Sequence, residues 1–197
     1  MSELLLLESR NMGAERKQRN RSDCSHLVNR HHAGQQGEVF IHLGHGLVTI
    51  VDAADYPKVE PYLWHVNTSA RKATYAAATN ICGRHHVNMQ AFLLDFPDGV
   101  VDHIDRDGLN NRRSNLRIAT VAENLRNTGP RKGRKYKGVR LRNGRWLVTV
   151  STAERPNQHV GSYATEHEAV LAYNEAARKY HGEFAWLNPV PGGDETA

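Results

Sequence analysis

Cysteine is nearly absent: Cys24 and Cys82 stand far apart in 197 residues, with no second pair. That excludes a disulfide scaffold and any zinc site built from four thiolates. Long apolar runs are missing too. The longest near the start is residues 4–7, four leucines between Glu3 and Glu8, too short for a signal-peptide core and far too short to span a bilayer. No membrane association is expected, and the reading places the chain in the cytoplasm. Acidic residues are missing from one stretch in particular. Residues 128–145 hold Arg131, Lys132, Arg134, Lys135, Lys137, Arg140, Arg142 and Arg145 and no Asp or Glu, within a chain of net charge +5. Such a density points to a polyanion partner. The length allows one ordinary domain or two small ones, not a large doubly wound enzyme.

Residues 1–38 mix charges with Asn, Gln, Ser and Gly without a sustained period and read as a disordered tail, order beginning near Val39. His31 and His32 in that tail are read as solvated rather than metal-binding. Residues 39–43 and 47–51 are β-rich runs around Gly44-His45-Gly46, a hairpin pattern, and Trp64 and Tyr75 mark further strands. Met89, Phe92, Leu93 and Phe96 recur at the spacing of a short amphipathic helix that ends before Pro97. Residues 100–127 then read as strand, polar loop, strand and helix, with Thr120 and Glu123 forming a capping-box signature that puts Asn124 one turn into the helix. After a basic linker, residues 138–142 and 145–151 flank Asn143-Gly144, a strong hairpin signal, and a third strand fits 158–163. Thr165 and Glu168 open a second capped helix whose face carries Ala169, Ala172, Tyr173, Ala176, Ala177 and Tyr180. Residues after about 188 read as frayed.

Asp102, His103, Asn115 and Asn124 can converge if the helix folds back across the hairpin. Hydrolysing a phosphodiester needs a base to activate water and a divalent cation to neutralise the charge growing on phosphate and leaving oxygen. Asp102 and Asn124 are hard oxygen ligands suited to Mg²⁺ or Mn²⁺ held together with waters. His103 is suited to be the base, and Asn115 to hold the loop or the imidazole in one orientation. A zinc reading through His85, His86 and His103 lacks a supporting thiolate pair.

The residues Val101-Asp102-His103-Ile104-Asp105, Asn115-Leu116-Arg117 and Glu123-Asn124-Leu125-Arg126-Asn127 resemble the HNH (ββα-metal) endonucleases, in the phage homing-type branch whose last metal ligand is Asn. The resemblance implies His103 as general base, Asp102 and Asn124 as metal ligands and Asn115 as the orienting residue. Asn110 replaces the Asp of the family's loop, and Gln90-Ala91 stands where the family tends to have His-Arg.

Residues 136–188, from Tyr136-Lys137-Gly138-Val139-Arg140 to Phe184-Ala185-Trp186-Leu187-Asn188, resemble the DNA-binding domain of plant ethylene-response factors, a module that phage HNH enzymes often carry after the nuclease. The resemblance implies a three-stranded sheet in the major groove with one helix behind it, and Lys137, Gly138, Arg140, Arg142 and His159 facing DNA, with Arg145 as an addition. Independently of family, Arg140 and Arg142 are two apart on a strand and so project to one side.

The expected fold class is α+β: a tail at 1–38, a ββα-metal HNH nuclease domain at 39–127, a basic linker at 128–135, an ethylene-response-factor-type domain at 136–188 and a tail at 189–197. The expected function is metal-dependent (Mg²⁺ or Mn²⁺) hydrolysis of double-stranded DNA by a homing-type HNH endonuclease, acting as a monomer or DNA-bound dimer without an obligate protein partner. The rival is a non-enzymatic DNA-binding or transcription regulator with an inactive nuclease domain; an RNA-directed nuclease is a third reading.

Overall fold

The computed structural model describes residues 29–68, 73–79 and 81–192. These fall into two compact units, one running to Met89 and the other starting at Gln90. No helix among the described residues is long and apolar enough to cross a membrane.

In the first unit, β1 (His31–Ala33), β2 (Glu38–Gly44) and β3 (Leu47–Asp52) form one antiparallel sheet in chain order. Alternation on β2 buries Val39, Ile41 and Leu43, as a half-buried strand requires. The β2–β3 turn puts Gly44, His45 and Gly46 all at positive φ, which explains two glycines in three residues. β1 departs from the expectation of a tail up to residue 38. It is only three residues long and has no alternation to read, yet its ladder to β2 is reinforced by His32, whose ring stacks on Phe40 at 4.9 Å. Asn29 brackets it, accepting from the Trp64 N–H and donating to the carbonyls of His42 and Trp64. Residues 1–28 of the expected tail lie outside the described residues.

A short α1 (Tyr56–Val59) leads to a second antiparallel sheet of β4 (His65–Thr68), β5 (Thr74–Ala78) and β6 (Val87–Asn88). Trp64, Ala76, Ala77, Ala78 and Ile81 are buried beside it.

α2 (Met89–Leu93) spans the boundary and ends earlier than its apolar stripe predicts. Asp95 and Phe96 turn left-handed, at φ 59° and 56°, and Pro97, which cannot continue a helix, follows at once. β7 (Val100–His103) and β8 (Leu116–Ala119) make a two-stranded ladder, and α3 (Val121–Asn127) follows at once. The Thr120–Glu123 capping box is formed in both directions, so the helix starts where the sequence puts it.

The rest of the second unit is β9 (Val139–Arg142), β10 (Arg145–Val150) and β11 (Gln158–Tyr163), with β10 central, and α4 (Glu166–His181) packed on one face. Tyr136, Val139, Val148, Ala169, Val170, Tyr173 and Ala177 form its core. Small residues on α4 let the helix approach the sheet closely; Tyr180 is the exception to the predicted face, being exposed near the helix end. The segment past α4 is tied down rather than frayed. Asn188 is buried, exchanges hydrogen bonds with Asn174 and with the backbone of Lys137, and Val190 packs on the core. Residues 193–197 of the expected tail lie outside the described residues.

Candidate active site

Asp102 and His103 are the last two residues of β7 and both are 5% exposed. Adjacent strand residues face opposite ways, and their partners differ accordingly. Asp102 sits opposite Arg117 in the β7–β8 ladder. The guanidinium donates to Asp102 Oδ2 from Nε at 2.9 Å and from Nη2 at 2.8 Å, a cross-strand charge pair. Asn127, at the end of α3, donates through Nδ2 to both Asp102 oxygens at 3.0 Å and to the His103 carbonyl at 2.8 Å.

The His103 ring lies 3.3 Å from Asn111, Nε2 to Oδ1. Asn111 is fully buried, and its amide Nδ2 points at the Gly108 carbonyl, which turns Oδ1 toward the ring. An oxygen acceptor there suits a donating Nε2–H, the tautomer in which Nδ1 is the basic nitrogen. Burial lowers the His103 pKa below the ordinary 6.5, against the opposing pull of Asn111, Asp105, Asp102 and Asp107. Burial thus favours the neutral form of the ring.

Asn115 closes the loop. Its Oδ1 accepts from the Asp105 N–H at 2.9 Å, and Nδ2 donates to Asp105 Oδ1 and to the Asn110 carbonyl, each at 2.8 Å. Asn110 donates to Asp105 Oδ2 and accepts from Arg112. Burial raises the Asp105 pKa, but the hydrogen bonds from Asp107, Asn110 and Asn115 and the nearby His103 outweigh it, and the carboxyl lies below its ordinary value. Of the two jobs the sequence left open for Asn115, its contacts are with the loop; Asn111 touches the imidazole.

Asn124 is half-buried, and its amide takes no side-chain hydrogen bond among the described residues. It shares a helix face with Asn127, three residues on. Three of the four predicted residues are held by neighbours, Asp102 by Arg117 and Asn127, His103 by Asn111, and Asn115 by Asp105 and Asn110, whereas no side-chain hydrogen bond ties Asn124 to them among the described residues. Arg117, Asn127 and Asn111 had no assigned role in the sequence reading. A signal for Asn127 exists in hindsight: α3 exposes Val121 (64%) and Leu125 (44%) and buries Asn127 (4%), the inverse of an ordinary amphipathic helix.

The described residues contain no group of three or more His, Cys, Asp or Glu placed to hold a metal ion. Among the described residues Asp102 Oδ1 accepts one bond, shared from Asn127, and the Asn124 amide oxygen accepts none. Two hard oxygens of this kind fit Mg²⁺ or Mn²⁺, which retain several waters.

Residues 82–126 match the family described as HNH endonuclease. The matched segment contains β7, β8 and α3 up to Arg126. An HNH endonuclease of Acanthamoeba polyphaga mimivirus is 28% identical over 152 residues, 75% of this chain and 78% of that protein. The part of the chain after this segment is similar to two plant proteins. Dehydration-responsive element-binding protein 2E of Oryza sativa subsp. japonica is 46% identical and protein 2D of Arabidopsis thaliana 44%, each over 55 residues or 27% of this chain. The matches cover 17% and 27% of those plant proteins, far less than their full length. No solved structure matches the chain significantly.

The residues expected to face DNA separate into two groups. Arg140, Arg142, Arg145 and His159 lie on the sheet face opposite α4: Arg142 pairs across with Arg145, Arg140 with Leu147, and His159 with Thr149. Arg145 leans along the sheet, donating to Ser162 Oγ and carbonyl. Lys137 turns away from that face. Its Nζ donates to the carbonyls of Leu125, Arg126 and Thr128 at 3.1, 2.6 and 2.7 Å, and burial pushes its pKa down to about 8. It thus caps the C-terminal end of the HNH helix, where unpaired carbonyls collect negative charge. Gly138, at φ 70°, lies against Thr149 and the Tyr173 ring.

Two buried histidines give a pH dependence of stability. His103 and His181 both have pKa values lowered by burial, below an unfolded value near 6.5. Below that pH the unfolded chain takes up protons that the folded chain resists, so their contribution is complete above 6.5 and lost as pH falls. The urea midpoint is expected to drop between pH 7 and 5, above the range in which Asp105, Glu123 and Glu168 titrate. A midpoint flat over that interval contradicts this assignment.

Proposed function

We propose that the chain is a metal-dependent endonuclease of the HNH homing type that hydrolyses phosphodiester bonds of double-stranded DNA, with His103 as general base. The observation that carries this reading is the buried His103 ring, held by Asn111 and next in sequence to Asp102, within the segment that matches the HNH endonuclease family. His103 Nδ1 takes a proton from water as the water oxygen bonds to phosphorus and the P–O ester bond breaks. Asn111 fixes the tautomer that makes this possible, and Asn115 holds the loop from which Asn111 projects. Asp102 and Asn124 hold the divalent ion, Mg²⁺ or Mn²⁺, which when bound supplies positive charge against the charge building on the phosphate and leaving oxygen. Arg117 and Asn127 keep the Asp102 carboxylate in one rotamer.

The C-terminal module holds the duplex through Arg140, Arg142, Arg145 and His159. Its likeness to plant element-binding proteins and the exposed basic face of its sheet support this. With Lys137 spent inside the fold and Lys135 paired to Glu166, Arg131, Lys132, Arg134, Arg140, Arg142 and Arg145 remain for phosphates. Six contacts at about −0.9 each give an expected slope of about −5 for log K against log[salt]. Filter binding or anisotropy between low and physiological salt measures it, and a slope near −2 contradicts the basic clamp.

The test of the activity is supercoiled plasmid incubated with Mg²⁺ or Mn²⁺, with and without EDTA. One site per chain predicts open circles first, with linear product later and at higher protein concentration. Plasmid that is bound but stays supercoiled under every divalent ion favours the rival, a non-enzymatic DNA-binding regulator.

A further inference from the structure

Arg117 does more than pair with Asp102. Its guanidinium carbon lies 3.9 Å from the centre of the Phe184 ring, its Nη1 donates to the Glu183 carbonyl at 2.8 Å, and the Glu183 carboxylate is 3.5 Å away. Phe184 and Glu183 belong to the short 3₁₀ turn Gly182–Phe184 that follows α4, 66 residues further along the chain and inside the C-terminal module. Both ends of the guanidinium are therefore occupied: Nε and Nη2 on the carboxylate, Nη1 and the π face on the turn. Only 11% of the Arg117 side chain is exposed.

The same turn region makes a second contact with the nuclease hairpin. The Arg106 guanidinium stacks on Trp186 at 4.1 Å, and Trp186 also lies against Gly129 just past α3. Lys137, from the opposite end of the module, closes on the last carbonyls of α3. These contacts all lie within one compact unit, so the module and the ββα hairpin form a single packed body.

We propose that Phe184 and Glu183 of the C-terminal module are positioning residues for the nuclease centre, acting through Arg117 on the Asp102 carboxylate. The module is then not only a grip on DNA. A planar guanidinium pinned on one face by an aromatic ring and at one end by a carbonyl has little freedom left. Its other two nitrogens, Nε and Nη2, hold Oδ2, which leaves Oδ1 directed to one place. Without the ring, Arg117 loses its fixed seat and Asp102 its fixed rotamer, and a ligand oxygen that must reorder on binding holds an ion less tightly. This rests on the reading of Asp102 as a metal ligand, and the test separates the two.

The experiment uses the full chain and the variants Phe184→Leu and Arg117→Lys. Mn²⁺ affinity is measured by the free-ion electron paramagnetic resonance signal, DNA affinity in metal-free buffer by anisotropy, and folding by near-ultraviolet circular dichroism. Phe184→Leu is expected to weaken Mn²⁺ binding about fivefold, to raise the Mn²⁺ concentration for half-maximal plasmid cleavage by the same factor, and to leave DNA affinity within twofold. Arg117→Lys keeps the charge but loses the fork and the flat face, and is expected to do the same or more. Folded variants with unchanged Mn²⁺ affinity overturn the proposal, as does a parallel loss of DNA affinity. Should the parent chain bind Mn²⁺ without cutting DNA, the nuclease reading fails while the fivefold shift in Mn²⁺ affinity still decides this one; a parent chain that binds no Mn²⁺ overturns it outright.

Discussion

Replacing His103 by alanine is expected to lower plasmid cleavage by at least about 10² and up to about 10⁴, the range that a positioned general base contributes, while DNA affinity stays within about threefold. The separation follows from where the ring sits. It is buried at the end of β7, whereas Arg140, Arg142, Arg145 and His159 lie on the sheet of the C-terminal module. Removing a buried ring also leaves a cavity, so melting curves must accompany the kinetics; His103→Gln keeps a polar side chain of similar reach and serves as the better-filled control. Asn111→Leu makes the complementary test. The base remains, but the oxygen that sets its tautomer is gone, and the rate is expected to fall without the complete loss of His103→Ala. Equal cleavage by the parent chain and His103→Ala removes His103 from the chemistry.

The second large effect is on stability. Gly138→Val places a branched side chain at φ 70°, where its Cβ collides with the Thr149 carbonyl oxygen and the Tyr173 ring. Left-handed backbone costs an L residue about 1–2 kcal/mol, and overpacking about 1–3 kcal/mol more. A combined loss of about 3 kcal/mol lowers the melting temperature of a unit this size by more than about 10 °C. Tyr173 and Val148 are both in the core that Gly138 abuts, so the loss falls on the module that is proposed to hold DNA, and binding falls with it. Gly133→Ala is the comparison: also at positive φ, 81°, but with nothing within 4 Å of an added Cβ. It is expected to cost about 1 kcal/mol, the backbone penalty alone. Similar melting temperatures for the two variants contradict the packing argument.

Most elements were legible because their signals are local. Both capping boxes, at Thr120 and Thr165, start helices where the spacing of Thr and Glu puts them. Asn143-Gly144, at φ 50° and 73°, makes the two-residue turn expected of that dipeptide. The strand at residues 158–163 was read to the residue. What escaped depends on tertiary contact. β1 is too short to show a period and exists because β2 offers it an edge. Phe96 continues the stripe of α2 on paper, but Pro97 turns the chain before it. Lys137 looks like one more cation in a basic run; only the fold reveals three carbonyls waiting at the end of α3.

The candidate site divides in the same way. The identity and spacing of Asp102, His103, Asn115 and Asn124 are in the sequence. Their supports are not, since a buried asparagine such as Asn111 or Asn127 looks like any loop or surface amide until its partners are known. Arg117 was closest to being readable: in a hairpin closed by residues 104–115, the register that pairs His103 with Leu116 necessarily sets Arg117 opposite Asp102.

The central claim is that Asp102 and Asn124 would together hold one divalent ion for the reaction in which His103 is the base. The most direct measurement is a crystal structure of the full chain with duplex DNA and Mn²⁺, with diffraction collected at an energy where manganese scatters anomalously. The account predicts one strong anomalous peak within coordination distance of an Asp102 carboxylate oxygen and the Asn124 amide oxygen, next to a phosphate that His103 Nδ1 approaches through a single water. A manganese peak bound elsewhere, or Asp102 still closed on Arg117 and Asn127 with no ion beside it at saturating Mn²⁺, contradicts it.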